Sequence, residues 1–253
     1  MPAVALASGS PSAFAEHGLD LLERIDYRRA DTEEEREAIF RLRYDCYLGE
    51  EAILPNFERR FTDPFDETDN TWLFGLYLEG QLVASMRIVV ATKEFPELPA
   101  MWSFGAELTP ELEAGRILID PTRFVVDKNV SRHHPHLAYM TARIGWIAGE
   151  YFQADAILAT VRREHEAFYK RVFNYKLVRD PRPYPTLLKP LNLMSLDYFA
   201  ERDRVNRRYP FFRSTVFERR MMFERLQHPA TAVDHARPPL RIVNESNLPR
   251  KIV

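Results

Sequence analysis

The stretch Thr71-Trp-Leu-Phe-Gly-Leu-Tyr-Leu-Glu-Gly-Gln-Leu-Val-Ala-Ser-Met-Arg-Ile-Val-Val90 decides how the rest of the chain is read. Two apolar runs flank Glu79-Gly80, a pair suited to a tight turn, so the spacing predicts a β-hairpin. The second run is apolar at both odd and even positions. A strand of that kind is buried on both faces, which places it centrally in a sheet with helices above and below. One residue does not fit: Arg87 stands inside the buried run. A guanidinium there requires a carboxylate partner, because an unpaired buried charge is severely costly.

Working outward toward the N-terminus, Asp63-Pro-Phe-Asp66 can supply that partner from an irregular, Pro-containing stretch over 49–70. Before it, Thr32 and Glu35 form a capping box. Ile39, Leu42, Arg43, Cys46 and Tyr47 follow at helical spacing, so Arg43 points with the apolar face. Ile25–Arg28 reads as a short strand. Residues 1–20, rich in Ala, Ser and Pro, read as a poorly ordered arm.

Toward the C-terminus, 92–115 contains three prolines and reads as loop. Arg116–Ile119 and Arg123–Val126 read as extended pieces around Pro121. A helix is expected over 135–152, a buried strand over 156–161, a helix over 164–173 and a strand over 175–178. Further helices are expected over 195–206 and 213–226. The domain reading is a core over 21–185, appended helices over 186–227 and an extended Pro-containing tail over 228–253. The fold class is α/β (α+β), a mixed sheet with helices on both faces.

Composition narrows the function. The net charge of −2 over 253 residues offers no global attraction for nucleic acid. The single cysteine, Cys46, excludes an intrachain disulfide and suits a reducing compartment. No apolar run of about 18 residues spans a bilayer, and the first residues lack the basic start and apolar run of a signal peptide. A cytoplasmic location is expected. His133, His134 and His136 are interrupted by Pro135, and no acid or thiol completes a ligand set, so no metal is expected.

The element order resembles that of GNAT acyltransferases. Over about 25–185 the details resemble the autoinducer (acyl-homoserine lactone) synthases and the related N-acyl amino acid synthases. The matching features are Arg43 with Tyr47 on the first helix and the acidic pair Asp63/Asp66. To these are added Arg87 in Arg87-Ile-Val-Val-Ala-Thr92, and Asp120 three residues before Arg123-Phe124. Asp120 stands where autoinducer synthases carry Glu, and their tryptophan after the first helix is missing. Phe65-Asp66-Glu67-Thr68-Asp69 and the longer C-terminal part fit N-acyl amino acid synthases and ornithine lipid acyltransferases better.

The resemblance implies a GNAT-like, mostly antiparallel sheet and transfer of a fatty acyl group from a thioester to an amine. Asp120 is the first candidate base, with a turn cap or a partner for Arg123 as its structural alternative; Glu113 is its rival. Tyr169 is the candidate acid for the leaving thiol, or else a core aromatic beside Phe173. Arg43, Tyr47, Asp63, Asp66, Arg87, Arg123 and Phe124 are expected to line or shape the substrate site, although a purely structural salt-bridge network explains the charged members as well. Backbone amides at a bulge near Arg123 would serve a developing oxyanion.

The resemblance implies acyl carrier protein or acyl-CoA as the donor, and no cofactor is expected. The stretch Asp127–His136 contains no glycine, unlike the loops that cradle the pyrophosphate of coenzyme A, so carrier protein is favoured. Lys128, Arg132, Arg162, Arg163, Lys170 and Arg171 are candidate contacts for that acidic partner. Burying about twelve methylenes gains roughly 10 kcal/mol, enough to hold a fatty chain. Residues 201–225 carry eight arginines against four acids, among aromatics, and are a candidate for peripheral membrane contact. The acceptor reading is an amino acid amine. S-adenosylmethionine in a lactone synthase and a non-catalytic acyl-thioester-binding module are the alternatives.

Overall fold

A computed structural model of the chain describes residues 12–225; the proposed tail over 228–253 and the first part of the arm lie outside the described residues. The expected hairpin is present. Strand β2 (Thr71–Leu78) pairs antiparallel with β3 (Gln81–Ala91), and Glu79 and Gly80 both have positive φ, 52° and 82°. That is the geometry of a type I′ turn, whose twist matches the strands it joins.

Around the hairpin, β1 (Ile25–Arg29), β4 (Leu118–Val126), β5 (Ala156–Val161), β6 (Lys176–Arg182) and β7 (Leu191–Asp197) form with it, among the described residues, a seven-stranded sheet of order β1-β2-β3-β4-β5-β7-β6. Every pairing is antiparallel except β4 with β5. The mixed, mostly antiparallel α/β class is therefore as expected. Alternation along β3 divides the core. Met86, Ile88 and Val90 face α5 (Leu137–Tyr151), with α1 (Ala13–Leu22) and α8 (Val216–Phe223) packed alongside it. Arg87, Val89 and Ala91 face α2 (Glu33–Gly49) and α3 (Met101–Glu113). A short helix α4 (Lys128–Ser131), then α6 (Glu166–Phe173) and α7 (Tyr198–Arg208), complete the set.

Four readings need correction. The stretch 92–115 is not all loop, because α3 occupies its second half. Phe104, Leu108 and Leu112 recur every four residues and bury against Val89, Leu118 and Leu158. That burial offsets the backbone hydrogen bond Pro110 cannot make. The two extended pieces around Pro121 are one strand, β4. Beyond Ile119 its outer edge has no strand partner among the described residues, and there a proline costs no ladder bond. Residues 191–197 form β7, inserted between β5 and β6, where no strand was expected and a helix was placed from 195; its helix starts at Tyr198, capped by Asp197. Finally, the arm region contains α1, whose Gly18 packs against Phe211.

Two devices position the site. The expected capping box of α2 is present: Thr32 Oγ1 accepts from Glu35 N–H, and Glu35 accepts from Thr32 N–H. This aims Arg43 and Tyr47 across the sheet. On the opposite face Gly145 lets α5 approach β4, since a Cβ there would sit 2.9 Å from the Pro121 ring.

Candidate active site

The parallel pairing of β4 with β5 extends through Leu118↔Ala156 and Ile119↔Ile157 and then stops. The two strands diverge beyond it. The wedge between them is a cavity of about 440 Å³, in the range of small-molecule sites. Pro121 to Val126 form one wall, Thr160 to Arg162 the other. Tyr47, Phe168, Tyr169, Tyr184, Leu187 and Leu191 close it. A second void of about 20 Å³ lies behind Phe124 and Tyr169, against Trp146 and Phe173.

The wall at β4 carries a β-bulge. Ser85 pairs with Val125 and Arg87 with Thr122, so Arg123 and Phe124 together oppose Met86. Arg123 takes φ of 53°, a left-handed conformation uncommon for a side chain of its size. In a regular strand Thr122 and Arg123 would point to opposite faces. Here both reach one cluster: Arg87 Nε donates to Thr122 Oγ1 at 3.0 Å, and Arg123 Nε donates to Asp63 Oδ2 at 3.0 Å. The left-handed conformation recurs at Thr186 (φ 72°), whose hydroxyl accepts from Arg123 at 3.1 Å. Such conformations persist where the surroundings over-determine them, and they concentrate at functional sites.

The five charged residues singled out in the sequence form one buried network. Arg87 donates to Asp63 at 2.6 and 3.1 Å and lies 3.0 Å from Asp66; Arg43 donates to Asp66 at 2.8 Å. Asp63 also caps the short turn Pro64–Glu67, accepting from Phe65 N–H at 2.9 Å. Burial disfavours both carboxylates' charge, but Arg123 and Arg87 outweigh it at Asp63, and Arg43 and Arg87 at Asp66; both are held below the usual range. Burial, with repulsion from Arg87, lowers Arg43 to about 10 despite Asp66. Three guanidiniums face two carboxylates, and the surplus positive charge is offset when Asp120, which feels Arg87 and Arg123, is ionised. Of these five side chains Arg123 alone lines the cavity; the other four hold it there from behind.

Asp120 is fully buried on the α3 face of β4 and is not on the cavity wall. Its Oδ2 accepts from Ala100 N–H at 2.9 Å, and its Oδ1 has no hydrogen-bond partner among the described residues. Burial raises it to about 6, against the Ala100 bond and Arg87. Glu113 is not brought to the site: it is exposed at the last turn of α3. Tyr169 does line the cavity, edge-on to Phe168 and Tyr175, and burial pushes its phenol upward. Tyr47 and Phe124 line it too. Thus Tyr47, Arg123, Phe124 and Tyr169 meet at one cavity.

Sequence reasoning missed Tyr184, Phe168, His165, Glu50 and Lys189. Tyr184 is buried on the cavity wall, and burial together with the Asp120 carboxylate raises its phenol. At the mouth, Arg162 donates to Glu50 at 2.9 Å and lies 2.7 Å from His165, while Lys189 donates to the Glu50 carbonyl at 2.8 Å. Glu50 ends α2, Phe168 lies on α6, His165 follows β5, and Tyr184 and Lys189 lie between β6 and β7; only the strand order brings them together. Lys128, Arg132, Arg163, Lys170 and Arg171 are exposed, and Arg162 is half-buried.

Amides at the α5 N-terminus are already bonded within the loop before it. Leu137 N–H donates to His134 C=O at 3.0 Å and Tyr139 N–H to His136 C=O at 2.9 Å. The Asp127 carboxylate accepts from Asn129 N–H at 2.7 Å in the same loop. Among the described residues no cluster of His, Cys, Asp and Glu could hold a metal ion.

The family described as N-acyl amino acid synthase FeeM matches residues 38–197, well over half of the chain. The chain belongs to the FeeM N-acyl amino acid synthase family. It is an acyltransferase of GNAT-like fold. The solved structure of FeeM, an N-acyl amino acid synthase from uncultured soil microbes, is 17% identical with a TM-score of 0.60, covering 73% of this chain and 97% of that one. TofI, in a ternary complex with an inhibitor and MTA, is 12% identical with a TM-score of 0.52, covering 75% and 100%. BjaI, a CoA-dependent acyl-homoserine lactone synthase solved with MTA, is 15% identical with a TM-score of 0.48, covering 72% and 89%. No curated protein matches the chain in sequence. At these identities the shared feature is the fold, and the family member's own chemistry has to be read from its residues.

Proposed function

We propose that this family member transfers a fatty acyl group from the thioester of an acyl carrier protein to the amine of an amino acid. The observation that carries the reading is the cavity between the splayed strands, largely apolar, with the anchored Arg123 guanidinium on its wall. The acyl chain lies against Phe124, Phe168 and Tyr169, its methyl end toward the small void behind them. The Arg123 guanidinium on the wall suits the carboxylate of an amino acid acceptor.

The amine nitrogen attacks the thioester carbonyl, the C–S bond breaks and an amide forms. Asp120 takes the amine proton, relayed by water or by the Tyr184 phenol, because its carboxyl is raised to about 6 and so titrates near neutrality. Tyr169 keeps its proton at neutral pH and gives it to the departing thiolate. Amides of the bulged strand at 123–126 donate to the oxyanion. The already bonded amides at the α5 N-terminus and the Asp127 carboxylate beside them leave a poor seat for the pyrophosphate of coenzyme A, which favours a carrier-bound phosphopantetheine. The cations at and around the mouth suit an acidic carrier.

Mass spectrometry of lipid extracts from a bacterial host expressing the protein tests the reading. New N-acyl amino acids, absent with Asp120→Ala, are expected. Acyl-homoserine lactones in their place would transfer the assignment to the lactone-forming reaction on S-adenosylmethionine.

A further inference from the structure

The cavity mouth has two unlike sides. On the α4–α6 side stand Lys128, Arg132, Arg163, Lys170 and Arg171, all exposed. On the opposite side two segments run together, tied by Leu188 N–H donating to Ala52 C=O at 2.9 Å. Ala52, Leu187 and Lys189 line the cavity, while their neighbours Leu54, Phe57 and Leu188 turn outward. Leu54 is 70% exposed, Leu188 57%, and Phe57 lies wholly in solvent. Beneath them Ile53, Phe61 and Tyr44 form a small core that holds the lip. Apolar side chains presented together beside a site mark an interaction surface.

The charge of the lip selects the occupant. Glu50, Glu51 and Glu58 stand against Arg59 and Arg60 over 50–60, and Arg59 is already 3.8 Å from Asp45. With Lys189 the lip sets three cations against three acids, so it has no basic excess to attract an acidic carrier, which finds its cations across the mouth. It also lacks the basic excess that binds by headgroup charge. What it offers is apolar surface at the exit of a cavity read as holding a fatty acyl chain. A long acyl chain released into water exposes about 0.8 kcal/mol of unfavourable surface per methylene.

We propose that the Leu54–Phe57–Leu188 lip inserts into the interfacial layer of a lipid bilayer, so that the acylated product leaves the cavity directly into lipid. The destination of the product rests on the acyl-transfer reading. The membrane contact is tested without turnover, so the two fail separately.

Full-length protein is floated with phosphatidylcholine vesicles, and with vesicles containing a third phosphatidylglycerol, at 0.15 and 1 M salt. We expect co-flotation with both compositions, little changed by salt. Leu54→Asp, Phe57→Asp and Leu188→Asp combined should lower vesicle partition at least about tenfold, with the melting temperature kept. Phe217→Asp with Met221→Asp, on the exposed apolar face of α8, should leave it unchanged. Four outcomes overturn the proposal: no flotation with either vesicle, flotation with anionic vesicles alone that high salt abolishes, loss in the α8 variant alone, or a lip variant that floats normally but no longer binds acyl carrier protein. The last would make the lip a carrier-docking surface.

Discussion

Replacing Asp120 by Asn should make the protein more stable and less active at once. The carboxyl is fully buried, and burial raises it from 3.8 to about 6. A group with a raised folded pKa stabilises the fold when protonated, and that contribution is lost as pH rises through the folded value. Above pH 7 the shift of about two units costs about 3 kcal/mol at 1.36 kcal/mol per unit. Asparagine keeps an oxygen for the Ala100 N–H and carries no charge, so it mimics the protonated acid at every pH. Urea unfolding should therefore show the variant up to about 3 kcal/mol more stable at pH 7.5, a gain that shrinks toward zero near pH 4. In a protein of this size that corresponds to a rise in Tm of roughly 6–12 °C. Turnover should fall by about 100-fold or more, the usual weight of a positioned base. An unchanged or lower stability at pH 7.5 would refute the account of a strained, desolvated carboxylate. Enhanced stability with full activity would leave the burial argument standing and remove Asp120 from the chemistry.

The remaining expectations concern the groups around it. Asp63→Ala leaves Arg87 and Arg123 without their shared carboxylate, and breaking a buried pair costs about 3–5 kcal/mol; denaturant unfolding checks the loss, and kcat/KM should fall with it because Arg123 is released from the wall. Asp63 and Asp66 are held below their unfolded values, so their stabilisation is present above about pH 4 and lost as pH falls through the depressed folded values, an acid unfolding limb that circular dichroism follows. Tyr169→Phe keeps the ring and removes the proton, so kcat should drop about 10- to 100-fold, with less effect on a donor whose leaving thiol is more acidic. Glu113→Gln, at the exposed end of α3, should leave kcat/KM within about twofold in the same assay.

Much of the fold was legible because its signals are local. The hairpin turn at Glu79-Gly80, the Thr32 capping box and the double-faced apolar run of β3 depend on neighbours within a few residues. The ionic network was legible for a different reason. Arg87 in a buried strand demanded a carboxylate, and Asp63 and Asp66 were placed to supply it. β7 was not legible: with Pro190 before it and a helix directly after, its apolar run fits either element until the strands on both sides are in place.

What the sequence by itself determined is the inventory: the class of fold and the charged set that must be buried together. The tertiary structure decided which of these meet. The departure of β4 from β5 after Ile119 opened the cavity; Pro121 is compatible with an unpaired edge there but does not by itself specify a wedge. The bulge at Arg123 turned that guanidinium to the same face as Thr122, although alternation alone predicts opposite faces. Strand parity set Asp120 behind the wall, against α3, where burial shapes its chemistry. Local sequence sets propensity over a few residues, whereas register, strand divergence and bulges are settled by the packing of segments far apart in the chain.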